Sequence, residues 1–133
     1  MINTTAEPPI PAKPTDRPFV QQVCIKDDDR PLATAWWHAS PTRLGSIQIV
    51  DLHVEKIHRR KGIGGQLLNA VIQQAIEYHR RHRRTLRHIW LPIAQKAEIA
   101  ARAFLAEANF HHVATLSEVL RDEDILLYKR SLD

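Results

Sequence analysis

The sequence predicts a mixed α/β (α+β) fold, in which a mostly antiparallel central sheet combines with two main helices in the order βββ-α-β-α-ββ. Apolar runs bounded by polar turns predict strands over residues 20–25, 32–39, 46–54, 88–93, 113–120 and 125–129. Apolar residues recur at helical spacing over residues 67–76, and an alanine-rich segment covers residues 96–108. These two segments predict the helices.

The first 18 residues differ in composition from the rest of the chain. They contain five of the eight prolines, which fix φ and remove backbone donors, so neither a helix nor a central strand is expected there. We therefore expect a disordered, proline-rich tail over residues 1–18. Residues 19–133 are expected to form one domain.

The cysteine count and the apolar runs narrow the class of protein. A single cysteine, Cys24, excludes an internal disulfide framework and fits a reducing compartment. No apolar run approaches the roughly 20 residues of a membrane span, and the N-terminus lacks the features of a signal peptide. We expect a cytoplasmic protein without membrane contact.

Three of the four glycines cluster within residues 62–65, between an apolar run and an amphipathic one. Glycines let a backbone approach a ligand closely, and the N–H groups at a helix start favour an anion. The cluster follows three cationic residues, Arg59, Arg60 and Lys61, which suit a pyrophosphate. The sequence therefore predicts a site for a phosphorylated ligand, the alternative being a tight turn with a solvated basic face.

Spacing excludes two common phosphate motifs. A Walker loop needs its lysine after the glycines, whereas Lys61 precedes them, and a dinucleotide fingerprint needs glycine where Leu67 stands. Residues 59–64 instead fit the pattern Arg/Gln-x-x-Gly-x-Gly/Ala. This stretch resembles the acyl-CoA signature of the GNAT superfamily of N-acetyltransferases. Residues 52–54, Leu-His-Val, stand where that family carries a Leu-Ala-Val strand end.

The resemblance continues downstream with departures. Residues 98–110 match the frame Asn-x-x-Ala-x-x-Leu-Tyr-x-x-x-Gly-Phe, with Glu98 and Leu105 at its Asn and Tyr positions. Asn109 can replace the glycine because asparagine tolerates the left-handed conformation of a helix C-cap. The pattern is coherent from Phe19 onward. The resemblance thus implies a short form that lacks the usual first strand and helices.

The resemblance implies an acetyl-CoA site between two strands, because in that family the strand after the helix of the glycine turn splays from the strand before the turn. Pantetheine would pair with the exposed strand edge, and backbone groups of residues 52–54 would polarise the thioester carbonyl. The cofactor-binding residues implied are Leu52, His53, Val54, Arg59, Arg60, Lys61, Gly62, Ile63, Gly64 and Gly65. No metal is expected, since the acidic triplet of residues 27–29 reads as a solvated turn.

The family's usual base and acid positions hold no titratable group in this chain. They fall on Gln48, Val50, Ile93 and Leu105. Two substitutes can be named, Gln48 acting through a bound water and Tyr128 on the last strand. Otherwise, catalysis would rest on proximity and carbonyl polarisation.

His53 is a further candidate for the catalytic base, because it lies in the strand that would pair with pantetheine. Simple strand alternation places it opposite the face of Gln48, so a packed or partner-contacting histidine is expected.

The implied activity is acetyl transfer from acetyl-CoA to a primary amine of a small molecule or peptide. The alternative is a non-catalytic acyl-CoA-binding module acting through a protein partner. A third possibility is contact with nucleic acid or ribosomes through the basic run of residues 79–84, although no aromatic residues interleave it.

Two adjacent tryptophans suggest how the chain assembles. Trp36 and Trp37 point to opposite faces of a strand, so one is expected in the core. The other would line the acceptor cleft or cover a sheet face that the missing helices leave bare. An apolar patch on such a face predicts a homodimer.

Overall fold

The computed structural model describes residues 2–6, 20–40, 44–54, 62–120 and 123–132. In chain order its elements are β1 (Ile2–Ala6), β2 (Val20–Asp27), β3 (Arg30–Ala39), β4 (Ser46–Val54), α1 (Ile63–Arg81), β5 (His88–Ala94), α2 (Gln95–Glu107), β6 (His111–Leu120) and β7 (Glu123–Ser131). No helix in these ranges is long and apolar enough to cross a membrane.

The strands form a seven-stranded sheet in the order β1-β2-β3-β4-β5-β7-β6. Neighbouring strands run antiparallel except β4 and β5, which are parallel and are joined through α1. The mixed, mostly antiparallel sheet with two main helices confirms the predicted fold class.

Both helices pack on the same face of the sheet, called the helix face below. Trp37 of β3 donates from Nε1 to Gln74 of α1 at 2.6 Å, and Tyr128 of β7 donates to Glu98 of α2 at 2.8 Å. Trp37 pairs with Ile49 of β4, Ile47 of β4 pairs with Ile89 of β5, and Leu91 of β5 pairs with Tyr128. Ile47 and Ile49 are alternate residues of β4, and Ile89 and Leu91 are alternate residues of β5. Since alternate residues of a strand share a face, both helices lie on one side.

The opposite face, called the open face below, has none of the described helices against it. A row of registered residues crosses it, from His38 through Gln48 and Trp90 to Lys129. The Lys129 ammonium lies 5.3 Å from the centre of the Trp90 ring, within cation–π range. Trp36, two residues from His38, belongs to this face and is half-buried.

The two tryptophans divide as predicted, and Trp37 is fully buried in the core. Cys24 is buried as well.

The basic run of residues 79–84 ends α1, where cations are favoured by the helix dipole. Within it, His79 is buried and its ring Nδ1 lies 2.7 Å from the Ala75 carbonyl oxygen, while Arg80 pairs with Glu77. Much of the run therefore has a local structural role.

One expectation about the N-terminus is wrong. Residues 2–6 were expected in a disordered tail, and a first strand was expected to be missing, yet β1 pairs antiparallel with β2. The reason is local, because the prolines begin only at Pro8 and the preceding residues include Ile2, Thr4 and Thr5, which favour strands. Residues 7–18 of the predicted tail lie outside the described residues.

Gly45 fixes the end of the sheet where β4 and β5 begin. Its φ of +80° is left-handed, and a Cβ there would lie 2.7 Å from the Thr85 carbonyl oxygen. Its own carbonyl accepts hydrogen bonds from the N–H groups of Arg87 and His88, at 2.7 and 3.1 Å. Only glycine tolerates both the left-handed φ and the close approach of the Thr85 oxygen. The two hydrogen bonds to its carbonyl hold the starts of β4 and β5 together.

Candidate functional site

The parallel strands β4 and β5 pair only at their beginnings. The paired positions are Ser46 with His88, Ile47 with Ile89, and Gln48 with Trp90. Beyond them, β5 continues its pairing with β7 and β4 continues with β3, so the two strands diverge. Pro92, which lacks an N–H group, stands in the diverging part of β5, as a proline does at a strand edge. The splayed strands expected from the resemblance are present.

The divergence leaves a cavity of about 240 Å³, called the β4–β5 gap below. It is lined mainly by apolar side chains of β4, β5 and α2: Val50, Asp51, Leu52, Leu91, Pro92, Ile93, Ala94, Ala97, Ala101, Phe104 and Leu105. Along the gap, each strand presents backbone groups toward a side where the other strand no longer pairs. A slender ligand with amide groups can pair there as an added strand does.

A bulge interrupts β4 at this gap. Trp36 of β3 pairs with Asp51, whereas Trp37 pairs with Ile49, so Val50 has no opposite residue. Bulges re-aim backbone groups and side chains and occur often beside active sites. Val50 is half-exposed and lines the gap.

The start of α1 lies next to the gap. Its N-cap is Gly62, left-handed with φ of 77°, and the first helical hydrogen bond runs from the Gln66 N–H to the Gly62 carbonyl. The amides of residues 63–65 therefore precede the helical ladder, and no acidic side chain occupies the first turn. A Cβ at Gly62 or Gly65 would meet no atom within 4 Å. The surface is open at both positions, which suits an anion held by backbone amides.

Gly64 has a different environment. A Cβ there would touch the Phe104 ring at 3.8 Å, an ordinary contact distance. Ile63 is buried in the core and anchors the turn. Arg59, Arg60 and Lys61, expected as cationic ligands, lie outside the described residues.

A second cavity, of about 400 Å³, opens at the start of α1. It is lined by residues from α1, the end of α2 and β7: Gly62, Gly65, Leu68, Asn69, Phe104, Glu107, Ala108, Asn109 and Arg130. Phe104 also lines the β4–β5 gap, so one side chain borders both cavities. Asn109 adopts the left-handed conformation predicted for it, with φ of 62°.

Sequence reasoning missed Arg130 as a member of this site. It stands 65 or more residues from the glycine turn, and no motif around it pointed there. Asn69, one helical turn beyond Gly65, could have been found from its spacing.

The four positions without titratable groups lie at the gap. Val50, Ile93 and Leu105 line it, and Gln48 occupies the last paired position of β4, where the strands part. Leu52 lines the gap too, as expected. His53 and Val54 end the same strand but do not belong to the described lining.

The expectation that His53 faces away from Gln48 is wrong. Gln48 pairs with His38 and His53 pairs with Thr34, which are alternate residues of an unbroken β3. Both side chains thus belong to the open face, because the bulge at Val50 shifts the alternation by one residue. The sequence shows no mark of this bulge.

Tyr128 is engaged with α2. Its hydroxyl donates to Glu98 Oε1 at 2.8 Å, and Arg102 Nε donates to the same oxygen at 2.8 Å. The hydrogen bond from Arg102, reinforced by that from Tyr128, lowers the pKa of Glu98, while burial and the bond to Glu98 raise the pKa of Tyr128. Tyr128 is absent from the described lining of the gap, so its visible role is to tie β7 to α2.

Comparisons with known proteins agree with this architecture. The model of the acetyltransferase (GNAT) family matches residues 4–110 of the chain. No curated protein sequence matches it.

Several solved structures share the fold. An IAA acetyltransferase from Bacillus cereus aligns with a TM-score of 0.74 at 13% identity, over 98% of this chain and 100% of that one. A GNAT family acetyltransferase from Elizabethkingia anophelis, solved with acetyl-CoA bound, aligns with a TM-score of 0.73 at 16% identity, over 98% and 99%. The ribosomal-protein-S18-alanine N-acetyltransferase from Escherichia coli aligns with a TM-score of 0.67 at 15% identity, over 86% and 70%.

Proposed function

Because this chain belongs to the GNAT acetyltransferase family, we propose that it transfers an acetyl group from acetyl-CoA to a primary amine of a small molecule or peptide. The observation that carries the proposal is the adjacency of the two cavities. A narrow apolar gap between strands borders, at Phe104, a glycine-lined helix start. An acyl-pantetheine arm joined to phosphates needs these two environments side by side.

The start of α1 fits the phosphates. Its first amides are not used by the helix, and the surface is open at Gly62 and Gly65, so an anion can reach the backbone. Arg130 adds a cation at the edge of the same cavity. The basic residues 59–61 immediately precede this helix in the sequence and suit the same role.

The β4–β5 gap fits the pantetheine arm. Its lining is apolar on the side of α2, and the edges of β4 and β5 face each other without pairing. Backbone groups of β4 around Leu52 would hydrogen-bond the amides of the arm, as a strand edge binds a peptide.

The bulge at Val50 fits the thioester. A backbone N–H turned into the gap there would donate to the carbonyl oxygen and stabilise the negative charge that develops when an amine attacks. The amine nitrogen then bonds to the carbonyl carbon, the carbon–sulfur bond breaks, and the thiolate takes up a proton. The protein supplies alignment and carbonyl polarisation.

The amine must lose a proton, and the usual base positions cannot take it. Gln48, where the strands part, could hold a water molecule that relays the proton to bulk solvent. Tyr128 is less suited, since its hydroxyl already donates to Glu98 and its pKa is raised.

The proposal is tested by release of free CoA thiol when acetyl-CoA is mixed with a panel of primary amines and peptides. Stabilisation of the fold by acetyl-CoA is measured in parallel by thermal unfolding. We expect both. Thermal stabilisation without thiol release from any amine would favour a non-catalytic acyl-CoA-binding module, and absence of stabilisation would contradict the cofactor assignment.

A further inference from the structure

The described lining of the β4–β5 gap contains a single ionisable side chain, that of Asp51. It directly follows the bulged residue Val50, at the place where the thioester carbonyl is expected. No described residue forms an ion pair or side-chain hydrogen bond with its carboxylate, and the side chain is exposed. A carboxylate without a partner among the described residues therefore stands beside the gap, in a protein whose formal net charge is +4.

The register places Asp51 on the open face. It pairs with Trp36, which alternates with His38, the partner of Gln48. Helix α2, which borders the gap, and helix α1 both lie on the other side of the sheet. A donor that enters along α1 and α2 thus leaves the open face for the acceptor, and Asp51 lies on the acceptor's side.

Trp36 adds an aromatic surface next to this carboxylate. It is half-buried on a face without described helices, and directly opposite strand neighbours have Cβ atoms about 5 Å apart. A carboxylate beside an indole ring is the combination that binds an ammonium group, through a charge-assisted hydrogen bond and a cation–π contact.

We propose that Asp51, together with Trp36, forms the acceptor site on the open face and selects primary amines that are positively charged near neutral pH. This inference rests on the proposed acetyl transfer and names its substrate class, an aliphatic amine carried as an ammonium ion. Asp51 draws the ammonium to the gap and orients its nitrogen toward the thioester. The proton lost before attack passes to solvent on the open face.

Two classes of acceptor test the proposal. Butylamine is an ammonium ion near neutral pH, whereas 4-methylaniline is a neutral primary amine under the same conditions. Wild type and Asp51→Asn are compared by CoA thiol release with each. We expect Asp51→Asn to lower kcat/KM for butylamine about tenfold or more, mainly by raising KM. The reason is the loss of one charge-assisted hydrogen bond to the ammonium group. The value for 4-methylaniline should change less than about twofold.

Matched variants exclude indirect effects. Asp29→Asn removes the same charge from the exposed β2–β3 turn, roughly 23 Å away along β3 at about 3.3 Å per residue, and should behave as wild type. Asp51→Glu keeps the carboxylate and should restore most of the preference for butylamine. Binding of acetyl-CoA, measured by thermal shift, should be equal in all variants.

Each contrary result has a distinct meaning. Equal effects of Asp51→Asn on both amines, or no effect on either, would overturn the acceptor assignment and leave the acetyl transfer intact. Failure of the wild type to release thiol with any amine would overturn the proposed function and this inference together.

Discussion

Gln48 and His53 lie on the same face of β4, although five positions separate them and strict alternation would set them on opposite faces. The bulge at Val50 accounts for this, since it adds one residue to β4 without adding one to β3. The same shift brings Asp51 beside Trp36. One local irregularity thus decides which side chains of β4 belong to the open face.

A substitution at Gly65 should change ligand binding and stability in opposite directions. It lies inside α1 where a Cβ meets no atom, so Gly65→Ala should raise the free energy of unfolding of the unliganded protein, by up to about 1 kcal/mol from helix propensity. The added methyl group should occupy space that the phosphates need and so weaken CoA binding. Thermal unfolding with and without CoA measures both effects.

The control for Gly65→Ala is Gln73→Ala, on an exposed position of the same helix. It should leave CoA binding unchanged. Unaltered CoA affinity in Gly65→Ala would show that the phosphates do not approach this turn.

Arg130 should contribute to binding phosphates in the second cavity. Arg130→Gln removes the cation and should weaken CoA binding roughly tenfold, the effect expected for one charge-assisted hydrogen bond. Pantetheine, which has no phosphate, should bind equally to both proteins. Titration calorimetry with the two ligands measures this difference, and Lys129→Gln, on the opposite face of β7, is the control. Equal CoA affinity in Arg130→Gln and wild type would remove Arg130 from the site.

The Tyr128–Glu98–Arg102 cluster should make stability depend on acid pH. Because the pKa of Glu98 is lowered in the folded protein, its stabilising effect is present above the ordinary value of 4.5. It is lost as the pH falls through the lowered value, since the unfolded state then binds more protons. Glu98→Gln should therefore flatten the decline in stability below pH 4.5, as followed by thermal unfolding in acidic buffers. An identical decline in the variant would place the responsible carboxylates elsewhere.

Tyr128→Phe separates a structural hydroxyl from a catalytic one. It should lower the melting temperature by a few degrees, about the contribution of one hydrogen bond, and leave the pH dependence of kcat/KM unchanged. A loss of kcat of tenfold or more, with the alkaline limb displaced, would instead make Tyr128 the general acid.

Self-association through the open face stays a prediction. Trp36 contributes apolar area there, and a second copy related by two-fold symmetry would bury the part of its indole ring that the acceptor leaves exposed. Light scattering at high micromolar concentration should give the mass of a dimer, and Trp36→Ser should give that of a monomer. A monodisperse monomer of the wild type would contradict the prediction.

The sequence by itself determined the order and type of the elements from β2 onward. Their apolar periodicity repeats every two or about 3.6 residues over segments long enough to specify strand or helix. It also located the glycine turn at the start of α1 and the left-handed Asn109, because these depend on the conformational limits of one or two residues. β1 was missed because the prolines that follow it dominate the composition of its segment.

Only the tertiary structure decided which distant residues share the site. Arg130 reaches the start of α1 because β7 lies beside β5, and Tyr128 meets Glu98 because α2 packs on that same pair of strands. The bulge at Val50 depends on the pairing between β3 and β4, and no residue in either strand requires it. A periodic sequence pattern indicates only whether each residue is buried or exposed, whereas register and strand order arise from the packing of the whole sheet. It is the register between β3 and β4 that places Asp51 beside Trp36.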